Sequence, residues 1–277
     1  MARLGKLIDA RYGTAAGIDG DGDEAGVLAH LLGRRSIRAY KPDPVPDGLI
    51  EVLVACAQSA PTKSNLQQYS IIVVRDADLR KRLAPWCPRT RILETVPALL
   101  IFCADLRRNR RIGEFRAKPN TNDNMDSFLN ATVDASLAMG FFVVAAEAAG
   151  LGCAPLSSVR DHMHGVAGVL ELPAGVFPVA GLMCGWPDVD GYVNQRLPQS
   201  VVVHRDTYDD TGLEAEIDAY DRTRDAIFPV TADRQRQRNL YGEAGFYGWS
   251  EGVARQLSVP ERAEFRAFLK NHGFALD

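Results

Sequence analysis

The most informative pattern along the chain is a long apolar segment near its middle. Helical spacing predicts one helix from Asp126 to Ala149, with polar residues such as Asn130 and Asp134 confined to its first half. From Leu137 to Ala146 the helix is apolar all round, and a helix without a polar face is buried on every side. The segment is too short to cross a bilayer and lies between charged residues. We therefore expect it at the centre of a core or of a large subunit interface.

Shorter patterns predict the other elements. The predicted strands are Ser70–Val74, Ala98–Cys103 and Val179–Cys184. Five further helices are predicted. The first is Val27–Leu32, and the second is capped by Asp47 and ends near Ser59. The third starts at Ser157-Ser158 and ends near Leu170, and the fourth carries Leu213, Ile217 and Tyr220. The last has a capping box at Ser258 and Glu261 and a stop at Gly273. Residues 1–26 are expected to be a flexible lead-in, partly because residues 13–26 are rich in Gly, Ala and Asp. Residues 27–277 are expected to form one domain.

Charge and cysteine usage narrow the class of protein. The 277 residues carry a net charge of −3, which argues against a general nucleic-acid binder. Five cysteines are widely spaced without a Cys-x-x-Cys pair, so we expect reduced core thiols. Arg3 and Lys6 are not followed by an apolar run, so no signal peptide is predicted. These features predict a cytoplasmic protein that is bound neither to a membrane nor to nucleic acid.

A basic cluster follows the first predicted helix. Arg34, Arg35 and Arg38 lie within five residues, together with Ser36. Guanidinium groups match the geometry of phosphate, so the cluster is a candidate anion site. The alternative is a helix C-terminus whose cations compensate the helix dipole.

Common catalytic motifs are absent from the sequence. It contains no Gly-x-Ser-x-Gly elbow, no phosphate-binding P-loop and no His-Glu-x-x-His motif. His162 and His164 are two residues apart and would not share a helix face, so no metal site is predicted. Any catalysis therefore belongs to an organic cofactor, for which the protein supplies binding and electrostatics.

Six motifs, taken in order, resemble the FMN-dependent nitroreductase superfamily. They are Arg35-Ser36-x-Arg38, the segment from Ser59 to Gln67, Gly150-Leu151-Gly152, Pro155-Leu156-Ser157-Ser158, Gly185-Trp186-Pro187 and Arg196-Leu197-Pro198. Their order and the tail from Trp249 onward are most similar to the branch of oxygen-insensitive NADPH nitroreductases and flavin reductases. The resemblance implies an α+β, nitroreductase-like fold, in which helices flank a central mixed β-sheet. It also implies a homodimer with long central interface helices.

The resemblance assigns one group of residues to the phosphate of FMN. Arg35, Ser36 and Arg196 would hold that phosphate. Asn194 stands where relatives often carry a lysine, and Arg34 would supply the missing charge.

A second group of residues would contact the rest of FMN. Arg38 would approach the pyrimidine edge of the isoalloxazine. Four residues would lie along the ribityl chain and the ring, some of them from a partner subunit: Thr62, Ser64, Asn65 and Gln67. The turn that begins at Pro155 would face flavin N5 and O4 with the backbone of Leu156, Ser157 and Ser158. Close relatives have two glycines where this chain has Ser157-Ser158, which would narrow the substrate face.

The resemblance further implies an NAD(P)H-dependent FMN oxidoreductase. Hydride would pass from NADPH or NADH to flavin N5 in a ping-pong cycle, and nitroaromatics, quinones or flavins would be the acceptors. No catalytic side chain is predicted. Arg234, Arg236 and Arg238 could meet the extra phosphate of NADPH. The alternative is a flavin-binding protein without turnover, or a family member with dedicated chemistry such as flavin breakdown or dehalogenation.

Overall fold

The computed structural model describes residues 2–18, 26–90 and 92–277. In chain order the α-helices are α1 (Ala2–Tyr12), α2 (Val27–Gly33), α3 (Asp47–Gln58), α4 (Ala77–Leu83), α5 (Arg107–Phe115), α6 (Met125–Ala148), α7 (Met163–Val169), α8 (Gln199–Val202), α9 (Leu213–Ile227), α10 (Arg238–Tyr241), α11 (Trp249–Leu257) and α12 (Phe265–Asn271). The β-strands are β1 (Tyr69–Val74), β2 (Ala98–Asp105), β3 (Gly152–Leu156) and β4 (Val176–Gly185).

The chain divides into two compact units. Unit 1 consists of Met1–Arg35 and Tyr192–Pro260, and it contains α1, α2 and α8 to α11. Unit 2 consists of Ser36–Gly191 and Glu261–Asp277, and it contains the four strands with α3 to α7 and α12.

The strands of unit 2 form one sheet in the order β1-β2-β4-β3. Each neighbouring pair of these strands is antiparallel, and a parallel pairing occurs at the isolated bridge between Ser36 and Cys153. The central strands β2 and β4 are buried along their whole length, as their nearly continuous apolar sequences require. The expected α+β fold, with helices flanking a central sheet, is confirmed.

Helix α6 carries much of the core of unit 2. The ring of Phe142 meets that of Phe102 on β2 edge-on, with 6.0 Å between the ring centres. Around it the alanines 131, 135, 138 and 146 are buried, so the helix approaches the sheet closely. Among the described residues, α6 is the one helix long and apolar enough to cross a membrane. Its packing on β2 and α3 makes it a core helix of unit 2.

The opposite side of α6 is not buried within the chain. Five apolar side chains are 37% to 56% exposed there, and they recur every fourth residue: Met125, Leu129, Val133, Leu137 and Phe141. The expectation that Leu137–Ala146 is buried on every side is therefore wrong for a single chain. Positions four apart share a helix face, so these side chains form one continuous apolar stripe.

Unit 1 begins with a helix that the sequence patterns did not predict. Residues 2–12 form α1, and Leu4 is 3% exposed. Residues 2–12 of the expected lead-in (1–26) are therefore helical, while residues 19–25 lie outside the described residues. The signal for α1 is the spacing of Leu4, Leu7 and Ile8, which places three apolar side chains on one helix face.

Strand β3 was also missed, because Gly152 and Pro155 are unusual in strands. Proline cannot donate to the hydrogen-bond ladder and is tolerated at a sheet edge. Strand β3 pairs with β4 alone among the described strands, so it is such an edge.

Two predicted helix starts are wrong. Asp47 is the first residue of α3 and pairs with Arg75, whereas Pro46 occupies the N-cap position. Ser258 is the C-cap of α11, and its hydroxyl donates to the carbonyl oxygen of Arg255 at 2.9 Å. The predicted stop is confirmed, since Gly273 has a φ of +82° just after α12.

The five cysteines form no disulfide, and Cys87, Cys103, Cys153 and Cys184 are buried. Burial raises the pKa of Cys87 to about 11 and that of Cys103 to about 12. These thiols therefore stay protonated, as expected of reduced core cysteines.

Candidate functional site

In unit 2, the segment that carries Arg38 is fixed to the edge of the sheet by backbone hydrogen bonds. The amide of Ile37 donates to the carbonyl of Cys153 at 3.0 Å, and the amide of Lys41 donates to that of Trp186 at 2.9 Å. Arg38 lies between these anchors, is exposed, and makes no ion pair with another described residue. A fixed backbone with an exposed guanidinium is an arrangement suited to binding an external anion or polar ring.

Two of the glycine motifs lie against this segment. A Cβ at Gly152 would lie 2.6 Å from Cβ of Ile37, so the segment passes too close for a side chain there. A Cβ at Gly185 would lie 2.7 Å from Cγ of Pro97 and 3.1 Å from the Tyr40 ring, so glycine is required there mainly by Pro97.

Tyr40 anchors the same segment and was not found from the sequence. Its hydroxyl donates to the carbonyl of Ile37 at 2.6 Å and lies 3.3 Å from that of Met183. Burial is the largest effect that raises the pKa of Tyr40, so the phenol stays neutral.

The predicted ribityl and ring residues lie together in a strained loop of unit 2. Lys63–Asn65 form one turn of 3-10 helix, and the φ angles of Ser64, Asn65 and Gln67 are +49°, +56° and +51°. Residues other than glycine rarely adopt this left-handed conformation, and such strain clusters at ligand sites. The hydroxyl of Thr62 is buried without a hydrogen-bond partner among the described residues. The loop therefore offers polar groups that its own contacts do not satisfy.

A buried carboxylate of α6 holds this loop in place. The two oxygens of Asp134 accept hydrogen bonds from the backbone amides of Lys63 at 3.1 Å and Gln68 at 3.0 Å. Asp134 is 1% exposed. The sequence pattern placed Asp134 in the half-polar start of the helix and assigned it no role. A signal that could have found it is a carboxylate with apolar neighbours on both sides, Val133 and Ala135.

The predicted turn before α7 is positioned by side chains from elsewhere in unit 2. The hydroxyl of Ser158, which is 5% exposed, lies 2.7 Å from that of Thr90. Arg262 donates from Nη2 to the carbonyl and the hydroxyl of Ser157 at 3.3 and 3.2 Å. Pro155 and Ser157 are exposed and Leu156 is buried. One continuous helix from Ser157 is wrong, because Ser158–Arg160 form a single 3-10 turn and α7 starts separately at Met163.

Asp161 connects this turn to two arginines. It accepts hydrogen bonds from Nε of Arg89 at 2.7 Å and from Nη2 of Arg262 at 2.9 Å. Burial acts to raise the pKa of Asp161, but the hydrogen bonds from Arg89 and Arg262 outweigh it and the pKa is lowered. No local sequence pattern indicates this network, because Arg89 and Arg262 are 72 and 101 residues away from Asp161.

In unit 1, Asn194 and Arg196 line a cavity of about 420 Å³. Two further arginines, Arg11 and Arg224, also line it, together with the rings of Tyr220 and Trp249. Burial raises the pKa of Tyr220, and the nearby Arg224 and Arg196 act in the opposite direction. With three arginines among its lining residues, this cavity, which we call the three-arginine cavity, is a candidate site for an anion.

Arg34 and Arg35 are not among the residues that line this cavity. They follow α2 directly, where Arg34 is the C-cap in an extended conformation and is half-buried, and Arg35 is exposed. Both residues directly follow α2, a position that also fits the alternative that they compensate the helix dipole.

The segment with Arg234, Arg236 and Arg238 is organised by Arg255 of unit 1. Arg255 is 4% exposed and donates to the carbonyls of Arg236 at 3.2 Å and Gly242 at 2.8 Å. Arg238 pairs with Glu243 at 3.0 Å, while Arg234 and Arg236 are exposed.

The residues present fit FMN better than a metal. The described residues contain no group of three or more His, Cys, Asp or Glu that could hold a metal ion. The three-arginine cavity suits a phosphate, and the loop with the unsatisfied hydroxyl of Thr62 suits a polyhydroxyl chain.

Comparison with known families identifies the class of protein. The model described as nitroreductase family matches residues 31–186, and the model described as nitroreductase family, C-terminal domain, matches residues 194–277. The chain therefore belongs to the nitroreductase family, as its motifs indicated.

Individual relatives are similar over most of their length. The chain is 31% identical to the FMN reductase [NAD(P)H] of Bacillus subtilis over 254 residues, which are 91% of this chain and 98% of that protein. It is 30% identical to the oxygen-insensitive NADPH nitroreductase of Salmonella typhimurium over 246 residues, 88% of this chain and 96% of that protein. The solved structure of B. megaterium NfrA2 superposes with a TM-score of 0.82 at 32% identity and covers 92% of this chain and 100% of that one. The structure of the NADPH:FMN oxidoreductase from Vibrio harveyi, solved in complex with NAD+, superposes with a TM-score of 0.78 at 27% identity. That match covers 90% of this chain and 98% of the Vibrio harveyi chain.

Proposed function

We propose that this protein is an NAD(P)H-dependent FMN oxidoreductase that reduces nitroaromatics, quinones or flavins by two electrons in a ping-pong cycle. The observation that carries the proposal is the loop from Thr62 to Gln68, which Asp134 holds in place. Within it Ser64, Asn65 and Gln67 are exposed and have left-handed backbone conformations. Strain of this kind persists where a ligand site requires it. The printed names of the relatives, an FMN reductase and an NADPH nitroreductase, support the same class of cofactor and donor.

In unit 1, Arg35 and Arg196 would bind the phosphate of FMN, with Arg34 adding charge near Asn194. Charge-assisted hydrogen bonds from arginine to phosphate are stronger than neutral ones and fix orientation. In unit 2, the hydroxyl of Ser36 would donate a hydrogen bond to a phosphate oxygen of FMN.

Unit 2 would also bind the rest of the cofactor. The ribityl chain and ring would contact Thr62, Ser64, Asn65 and Gln67, and Arg38 would place a positive charge near the pyrimidine edge. The backbone of the turn from Pro155 to Ser158 would bind the ring near N5 and O4. We take residues 27–277 as the FMN-binding domain.

When bound, FMN accepts a hydride from NAD(P)H and passes two electrons to the acceptor. The side chains bind and orient the reactants and supply no acid or base to the reaction. Arg38 would stabilise negative charge on the ring, an effect that grows where water is excluded. Arg234 and Arg236, both exposed, are candidates for binding the extra phosphate of NADPH.

We propose that the protein is a cytoplasmic homodimer. Monomeric proteins rarely expose a continuous apolar patch of the size that the stripe on α6 forms. A second copy of the chain would cover this stripe.

The proposal is tested by steady-state oxidation of NADPH and NADH with a quinone as acceptor, with and without added FMN. We expect turnover that depends on both FMN and the quinone. A protein that binds FMN but does not oxidise either donor would support the alternative of a flavin-binding protein without reductase turnover. A colourless protein that does not bind added FMN would contradict both.

A further inference from the structure

Helix α1 lies outside both regions that match the nitroreductase family. The two family models match residues 31–186 and 194–277, so neither match includes residues 2–12. The last turn of α1 carries Arg11. The contacts of Arg11 are therefore not among the features that the family models match.

Arg11 bridges the two segments of unit 1 that carry the proposed phosphate ligands. Its Nη2 atom donates to the carbonyl oxygens of Leu32 at 2.7 Å and Arg34 at 2.8 Å. Its Nη1 atom donates to the carbonyl oxygen of Asn194 at 2.9 Å. The backbone completes the link, because the amide of Arg196 donates to the carbonyl oxygen of Arg11 at 2.9 Å.

Packing strengthens the same connection. Gly13 follows α1 with a φ of +77°, and a Cβ built on it would lie 2.1 Å from Nε2 of Gln195. Gln195 is 4% exposed, so it is clamped between its neighbours. The end of α1 therefore contacts three consecutive residues of the segment from Asn194 to Arg196.

The choice of arginine has an electrostatic reason. The last carbonyl groups of a helix lack partners and carry partial negative charge, which would repel a phosphate. Arg11 covers the carbonyl oxygen of Leu32 in the last turn of α2 and that of Arg34, the C-cap residue, and it lines the three-arginine cavity itself. A planar guanidinium can donate to several acceptors in a fixed fork, whereas lysine presents a single ammonium group.

We propose that Arg11 is a positioning residue for the phosphate of the cofactor. Arg11 holds two segments in a fixed position relative to each other. One follows α2 and carries Arg34 and Arg35, and the other carries Arg196. The inference rests on the proposed function, because it takes FMN as the anion that this part of unit 1 binds.

The test compares FMN with riboflavin, which lacks the phosphate. Dissociation constants for both are measured by fluorescence titration for the wild-type protein and for Arg11→Gln and Arg11→Lys. We expect Arg11→Gln to weaken FMN binding by about ten-fold or more, which corresponds to about 1.4 kcal/mol, and to change riboflavin binding by less than about two-fold. Arg11→Lys retains the charge but not the fork, so it should not restore FMN affinity. Arg205→Gln removes an exposed arginine of unit 1 and serves as the matched control, with both affinities unchanged.

A second variant keeps the test decisive if Arg11→Gln fails to fold. Gly13→Ala leaves every charge in place but collides with Gln195, so it should also weaken FMN more than riboflavin. Equal weakening of both flavins, or wild-type FMN affinity in folded Arg11 and Gly13 variants, would overturn the inference while leaving the proposed function intact. A wild-type protein that binds riboflavin and FMN equally well would also overturn it. Absence of FMN binding by the wild-type protein would overturn the proposed function and this inference together.

Discussion

The carboxylate of Asp134 lies 3.0 Å from the backbone nitrogen of Gln68, across 66 residues of sequence. The other oxygen of the same carboxylate binds the amide of Lys63, so one buried side chain fixes both ends of the strained loop. The long helix α6 thus does more than fill the core. It carries the acceptor that holds the proposed cofactor-binding loop in its left-handed conformation.

Replacing this acceptor should loosen the loop. Asp134→Asn keeps one oxygen but directs an NH₂ group at a backbone N–H that also donates. We expect a loss of about 1–3 kcal/mol in the free energy of unfolding, because a buried donor is left without its partner. Urea unfolding measures this loss, and FMN dissociation should become faster in the same variant. Asp126→Asn, at an exposed position of α6, is the control and should change stability by less than about 0.5 kcal/mol. Equal effects of the two substitutions would contradict this role of Asp134.

The close approach of Ile37 to Gly152 gives a second prediction. Gly152→Ala places a Cβ where Ile37 already packs, so the segment with Arg38 must shift. Overpacking of this kind costs about 1–3 kcal/mol. Gly168→Ala is the control, since nothing lies within 4 Å of a Cβ there and alanine favours a helix. Thermal unfolding should show a lower melting temperature for Gly152→Ala and no decrease for Gly168→Ala. A melting temperature for Gly152→Ala at or above that of the wild type would show that the contact is not restrictive.

The network around Asp161 predicts a dependence of stability on pH. The pKa of Asp161 is lowered in the folded protein, so its ionised form contributes stability that is complete above the unfolded pKa of about 3.9. This contribution is lost as the pH falls through the lower, folded pKa. Asp161→Asn should therefore be less stable than the wild type near neutral pH, and the difference should shrink below about pH 4. Melting temperatures from pH 7 to pH 3 measure it, with Asp218→Asn on the exposed side of α9 as the control. A difference that stays constant over this range would mean that Asp161 acts by packing and not by charge.

The apolar stripe on α6 predicts the effect of charge on assembly. Phe141 is 43% exposed, whereas its neighbour Phe142 is fully buried in unit 2. Phe141→Asp should therefore yield a folded monomer with weakened flavin binding, while Phe142→Asp tests the core and should destabilise the chain itself. Leu257→Asp, at a position 77% exposed on α11, is the control and should remain dimeric. Light scattering that finds a wild-type monomer, or an intact Phe141→Asp dimer, would contradict the proposed interface.

The sequence predicted elements best where periodicity and burial agree. Strands β1, β2 and β4 and helix α6 were found within three residues of their ends, because each contains a long apolar run. Such runs are buried along their whole length in β2 and β4. Strand β3 was missed, since its glycine and proline are required by its neighbours and its edge position rather than by strand propensity. Helix α1 was not predicted, because the flexible segment expected from the composition of residues 13–26 was taken to include residues 1–12 as well.

The candidate site was predictable only in part. Motif residues such as Ser64, Asn65 and Gln67 could be named in advance, because the resemblance carries them by position. The residues that hold them could not, because Asp134, Arg262 and Arg11 act across long sequence separations that no local pattern encodes. The role of each therefore emerged from hydrogen bonds in the fold.

If the protein is an NAD(P)H-dependent FMN oxidoreductase, its bound flavin exchanges electrons with NAD(P)H and with an acceptor. Anaerobic stopped-flow mixing of the FMN-loaded protein with NADPH, or with NADH, measures the first of these exchanges. We predict that the flavin absorbance bleaches at a rate that depends on nicotinamide concentration, and that it recovers when a quinone is added in a second mix. Flavin that stays oxidised with both nicotinamides, in protein shown to be folded and loaded with FMN, would contradict the account.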